Sequence, residues 1–125
     1  MKSPARRILC ADDNEDTCFM LAALLGQAGC EATAARTVSD ALRLAGDGGF
    51  DLYVLDNKFP DGSGAELCRS IRRFDPLTPV LFYSGAAFDS DREESLAAGA
   101  QEYVAKPDID ALTKAVRRLL GQNDV

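Results

Sequence analysis

Short apolar runs alternate with amphipathic stretches along the whole chain. Ile8-Leu9-Cys10-Ala11 is continuously apolar, the pattern of a strand buried on both faces. Cys18, Leu21, Leu24, Leu25 and Ala28 then fall on one stripe of a helix, whose end Gly26 and Gly29 predict. Residues 31–36 form a weaker second strand, poor in large side chains and expected at a sheet edge. Val38, Ala41, Leu42 and Ala45 repeat the helical spacing until Gly46, Gly48 and Gly49 stop it. Phe50 through Leu55 is the third strand, closed by Asp56. A turn-rich stretch from Asn57 to Gly64 leads into a helix with Leu67, Ile71 and Phe74 facing inward. Pro76 and Pro79 bracket a loop before the fourth strand, Val80-Leu81-Phe82-Tyr83, which ends in Ser84. Residues 88–98 read as a polar helix with a weak stripe of Phe88 and Leu96. The fifth strand, Gln101 to Ala105, ends at Lys106-Pro107, and Ile109, Leu112, Val116, Leu119 and Leu120 share one face of the last helix.

Five strands alternating with five helices make a βαβ series, hence an α/β fold with a parallel sheet covered on both faces. The length, 125 residues, fits one domain spanning 1–125. No repeat, low-complexity tract or linker interrupts it.

Composition narrows the function. The net charge of −6 argues against direct nucleic-acid binding, which needs clustered Lys and Arg; Lys2, Arg6 and Arg7 are too few. No apolar run approaches the roughly 20 residues that span a bilayer, and Ile8–Ala11 is too short for a signal peptide, so a cytoplasmic protein is expected. Cys10, Cys18, Cys30 and Cys68 show no CxxC spacing and read as buried free thiols. The absence of histidine removes histidine triads and histidine-ligated zinc.

The informative polar residues stand at strand ends. Asp12 and Asp13 follow strand one, Asp56 closes strand three, Ser84 strand four and Lys106 strand five. Each has a bland reading by itself: Asp13 or Asn14 as a helix cap, Asp56 as a turn residue, Ser84 and Lys106 as solvated loop residues. Together they sit where parallel α/β sheets bind ligands, at the carboxyl ends of the strands. With the strand order 2-1-3-4-5, strands one and three are neighbours at the switch point, and the five side chains converge. Carboxylates without histidine or thiolate suit a hard cation such as Mg²⁺. A carboxylate can also act as nucleophile and carry a phosphoryl group, a transfer that needs positioning and charge neutralisation above all. Lys106 and Ser84 supply an ammonium and a hydroxyl for anionic oxygens.

The motifs Leu9-Cys10-Ala11-Asp12-Asp13-Asn14, Val54-Leu55-Asp56 with Phe59-Pro60-Asp61-Gly62-Ser63-Gly64, Tyr83-Ser84-Gly85-Ala86 and Tyr103-Val104-Ala105-Lys106-Pro107 occur in order along the chain. In them the sequence resembles the receiver domain of bacterial two-component response regulators, in a stand-alone, chemotaxis-regulator-like form. The resemblance implies a doubly wound, flavodoxin-like five-stranded sheet in the order 2-1-3-4-5. It implies Asp56 as phosphoacceptor. Around Mg²⁺ it implies Asp13 and Asp56 as ligands, the Lys58 backbone carbonyl as a third, and Asp12 acting through water. Ser84 takes the switch-hydroxyl position, Lys106 the phosphate-pairing position, and Tyr103 that of the aromatic that turns inward. The Lys106–Pro107 bond is expected to be cis. Implied partners are a histidine kinase or histidine phosphotransfer protein and a downstream protein target, met through the face of helix 4, strand 5 and helix 5. The chain is then a switch that catalyses only its own phosphorylation and dephosphorylation.

Two positions depart from the commonest family pattern. Asp108 follows the Lys-Pro pair where an apolar or aromatic residue is frequent, and it reads as a cap of the last helix. Lys58 places a long cation two positions after Asp56 and is expected to alter acyl-phosphate hydrolysis. The alternative reading is a receiver-like interaction module independent of phosphorylation, expected to lack one of the site residues. An aspartyl-phosphate phosphatase wants Asp-x-Asp after strand one, unlike the adjacent Asp12-Asp13. A flavin site fits poorly, because no hydroxyl-rich phosphate loop follows that strand.

Overall fold

The computed structural model describes residues 5–85 and 88–121, so Lys2 of the basic residues and Ala86 of the motifs above lie outside the described residues. The elements are β1 (Arg6–Ala11), α1 (Glu15–Gln27), β2 (Cys30–Ala35), α2 (Val38–Asp47), β3 (Leu52–Leu55), a short hairpin β4 (Lys58–Phe59) and β5 (Gly62–Ser63), α3 (Gly64–Arg72), β6 (Val80–Ser84), α4 (Asp89–Ala97), β7 (Glu102–Ala105) and α5 (Ile109–Leu119). The main sheet runs β2-β1-β3-β6-β7, all parallel, which is the expected order 2-1-3-4-5 of the five long strands.

Continuous apolar runs become central strands because both faces are covered. Along β1, Ile8 and Cys10 point to one core with Leu21 and Leu25 of α1 and Leu112 and Val116 of α5. Leu9 and Ala11 point to the other, with Ala41 and Ala45 of α2 and Leu67 and Ile71 of α3. This period-two split uses all four apolar residues of the strand, Ile8 to Ala11. All four cysteines are buried free thiols; burial pushes the Cys10 thiol up to about 12 and raises the others.

Several boundaries differ from the sequence expectation. Gly26 and Gly46 lie inside their helices, and the chain turns away at Gly29 and Gly48, which adopt φ of +82° and +78°. Both take a positive φ, which glycine adopts without strain, whereas Gly26 and Gly46 do not. The stretch 57–64 holds the hairpin β4–β5, and β3 begins at Leu52. Phe74 is 49% exposed instead of inward: α3 ends at Arg72, and the following turn, with the Phe74 amide donating to the Ile71 carbonyl, rotates it off the stripe. Phe88 and Leu96 are also exposed, and α4 buries the small residue Ser95, its hydroxyl donating to the Asp91 carbonyl.

Candidate phosphoacceptor site

Register sets the site. The strands are paired so that Ala11 lies opposite Leu55, and Ser84 opposite Ala105, which aligns their carboxyl ends. The Asp56 amide donates to the Ala11 carbonyl at 2.9 Å and the Lys106 amide to the Ser84 carbonyl at 2.8 Å. Beyond this edge, Asp12, Asp13, Asp56, Ser84 and Lys106 line one cleft of about 560 Å³, together with Lys58. The five strand-end residues therefore meet in one place.

Asp12 is the deepest, 2% exposed. Its Oδ2 accepts from Lys106 Nζ at 2.7 Å and its Oδ1 from the Asn14 amide at 2.9 Å. Burial holds this carboxyl above its usual range, and the nearby Asp56 charge adds to that, while Lys106 and the Asn14 amide pull the other way. Burial also works against the Lys106 charge, yet Asp12 and Asp56 outweigh it and hold the ammonium above its ordinary value. Lys106 Nζ lies 3.5 Å from Asp56 Oδ2. One ammonium thus serves two of three carboxylates.

Carboxylate oxygens of Asp12, Asp13 and Asp56 lie within 4.8 Å of one another. The donor set is all oxygen, and its negative charge exceeds what Lys106 offsets, which fits a hard divalent cation. Asp13 is exposed at the mouth, whereas the cap of α1 is Asn14, accepting from the Thr17 amide. Ser84 is buried at the end of β6. Tyr103 is half-buried, stacked on Phe82 at 6.2 Å, and its hydroxyl accepts from Asn57 Nδ2 at 3.3 Å. The Lys106–Pro107 bond is cis, and Asp108 caps α5 by accepting from the Ala111 amide.

The loop that follows Asp56 is tied down at both ends. Gly64 donates to the Asn57 carbonyl at 2.8 Å. A Cβ on Gly64 would lie 2.0 Å from the Asp56 carbonyl oxygen, so only glycine lets α3 approach this closely. At the hairpin tip, the Asp61 carboxylate accepts from the Val38 and Ser39 amides at the start of α2, which holds its carboxyl below the usual range. Sequence reasoning missed Arg36, whose side chain grips the β1–α1 loop. It stands just beyond β2, so the same strand-end rule pointed to it.

The profile of the response regulator receiver domain matches residues 8–117. The chain belongs to this family. Among curated relatives, the uncharacterized transcriptional regulatory protein YrkP of Bacillus subtilis (strain 168) is 38% identical over 103 residues, covering 82% of this chain and 44% of its own length. The chain spans about half the length of such relatives. Among solved structures, a two-component response regulator from Clostridium difficile superposes with a TM-score of 0.88 at 26% identity, covering 95% of this chain and 99% of that one. TrrA of Thermotoga maritima, solved in complex with Mg(2+)-BeF, gives 0.83 at 30% identity, with 91% and 98% covered. Among the described residues of this receiver domain, no helix is long and apolar enough to cross a membrane.

Proposed function

We propose that this receiver domain is a phosphorylation-activated switch in which Asp56 accepts a phosphoryl group from a phosphohistidine partner. The observation that carries the reading is the cleft itself: three clustered carboxylates and a lysine paired to two of them, at the switch point of the sheet. In the transfer, an Asp56 carboxylate oxygen attacks phosphorus as the bond to the donor's imidazole nitrogen breaks. The electron pair leaves with the imidazole, so no proton need be removed from this chain. Mg²⁺, when bound, would offset charge on the carboxylates and phosphoryl oxygens; Asp13, Asp56 and the Lys58 carbonyl would hold it, with Asp12 acting through water. Lys106 exchanges its bond to Asp12 for one to the phosphoryl group, and the Ser84 hydroxyl donates to another oxygen.

Phosphorylation adds charge and strong acceptors at Asp56. Ser84 moves toward it, Tyr103 turns inward, and the face of α4, β7 and α5 changes what it offers a protein target. The small buried interface of α4 suits this movement, as does a hollow of about 150 Å³ between Asn57, Ala65 and Ser95. We read residues 1–125 as one receiver unit in the cytoplasm, with a histidine kinase or histidine phosphotransfer protein as donor. Binding to nucleic acid is assigned to no surface of this unit.

Incubation with Mg²⁺ and a small phosphodonor, followed by intact mass, tests the proposal. One phosphoryl group gained by the wild type and absent in Asp56→Asn is the expected result. No gain, with partner binding retained, favours an interaction module independent of phosphorylation.

A further inference from the structure

Arg36 follows β2 directly and reaches the β1–α1 loop, which carries Asp12 and Asp13 of the cleft. Its Nε and one terminal nitrogen both donate to the Asp13 backbone carbonyl, at 3.3 and 3.2 Å. The other terminal nitrogen donates to Glu15 Oε2 at 3.2 Å, in the first turn of α1. The Asp12 amide donates to the Ala35 carbonyl at 3.0 Å. The end of β2 thus holds the chain at Asp12, at Asp13 and at Glu15, the first residue of α1.

Asp13 is the member of the carboxylate cluster that needs this help. Asp12 is fixed by burial and by Lys106, and Asp56 by its own Asn57 amide and by Lys106. Asp13 is exposed, so the aim of its carboxylate depends on where its backbone is held. We propose that Arg36 is a positioning residue for the acidic cleft, fixing the Asp13 backbone so that its carboxylate is presented to a divalent cation. This rests on the reading of the cleft as an Mg²⁺ site.

Charge and geometry make opposite predictions, which renders the idea testable. A guanidinium beside a cation site repels the cation, so charge alone says that removing Arg36 tightens binding. That repulsion is weak, because the side chain is 55% exposed and already paired with Glu15. Loss of a partner that orients a metal ligand weakens metal affinity, typically by 10–100-fold where that partner is well ordered. For this half-exposed clamp, a loss of about three- to tenfold is expected.

The experiment counts free Mn²⁺ by electron paramagnetic resonance in the unphosphorylated protein, with Mg²⁺ as competitor, for wild type, Arg36→Ala, Arg36→Lys and Asp13→Asn. Both Arg36 variants should bind more weakly while melting within a few degrees of wild type, and the Mg²⁺ giving half-maximal phosphoryl uptake should rise by the same factor. Unchanged or tighter binding in Arg36→Ala overturns the positioning role, as does wild-type affinity in Arg36→Lys, which keeps the charge without the fork. A wild type that takes up no Mn²⁺, or an Asp13→Asn that binds normally, overturns the metal reading instead, and the role of Arg36 with it.

Discussion

Replacing Gly64 by alanine sets two known effects against each other. Alanine in place of glycine within a helix ordinarily gains roughly 0.5–1 kcal/mol. At Gly64, however, the new Cβ would sit 2.0 Å from the Asp56 carbonyl oxygen and 2.7 Å from the Phe82 ring. A carbon approaches a carbonyl oxygen no closer than roughly 3.3 Å, so one of two packed backbones must move by more than about 1 Å. Overpacking of this kind costs about 1–3 kcal/mol, and the upper end applies because neither partner is a flexible side-chain tip. The net expectation is a loss of about 2 kcal/mol, or a melting temperature lower by about 8 °C in a domain of this size. Gly46→Ala is the matched control. It lies inside α2 with no heavy atom within 4 Å of the added carbon, and should gain about 0.5–1 kcal/mol. Urea unfolding of both variants, with unchanged m-values, gives the comparison. A Gly64→Ala protein as stable as wild type would refute the reasoning. The displaced Asp56 should also take up phosphoryl groups more slowly, even where the variant is fully folded.

Lys58→Ala should lengthen the life of the phosphorylated state about two- to fivefold, the rate equivalent of the roughly 0.5–1 kcal/mol an exposed cation supplies; equal lifetimes by intact mass would sink the idea. Asp75 accepts from the Tyr53 hydroxyl and the Leu77 and Thr78 amides. Burial raises its carboxyl, but these bonds outweigh it and the group titrates below its usual value. The folded state therefore binds fewer protons there than the unfolded chain. The stability this gives is complete above the unfolded value near 3.9 and is lost as pH falls through the lower folded value. Asp75→Asn should cost stability at pH 7 and converge on wild type in acid; a constant gap across the urea–pH series contradicts this. Arg72 donates to the carbonyls of Asp75, Thr78 and Gly99 and to Gln101 Oε1, so Arg72→Leu should cost about 2–3 kcal/mol in urea unfolding.

The parallel sheet and its strand-end cleft were legible because both rest on long-range rules with short sequence signals. Ile8–Ala11 can be apolar throughout only if covered on two faces, and the same logic placed Asp12, Asp56, Ser84 and Lys106 at one edge. What stayed hidden depends on local closure. The hairpin β4–β5 has strands of two residues each, too short for any periodicity to register. Phe74 fits the stripe of Leu67 and Ile71, but the helix stops two residues before it, and spacing alone does not reveal a stop. Phe88 and Leu96 looked like the buried side of α4, whereas Ser95 packs inward because its hydroxyl is satisfied within the helix itself. Arg36 stands at a strand end as Asp12 and Asp56 do, but what it holds is chiefly a main-chain carbonyl, and that partner leaves no mark on the sequence.

The four buried thiols make the protein its own unfolding clock. A cysteine reacts as its thiolate, and burial both shields these thiols and raises each above its ordinary value. Alkylation in the native state must therefore wait for the chain to open. Cys18, whose thiol donates to the Asp12 carbonyl, reports opening of the loop beside the cleft, while Cys68 reports opening of α3 against the far end of α4. Counting alkyl groups by intact mass over time follows the openings, and digestion assigns each group to its cysteine, without any engineered probe. The same spectrum can carry the phosphoryl count, so that charge state at Asp56 and local opening are read from one molecule at once.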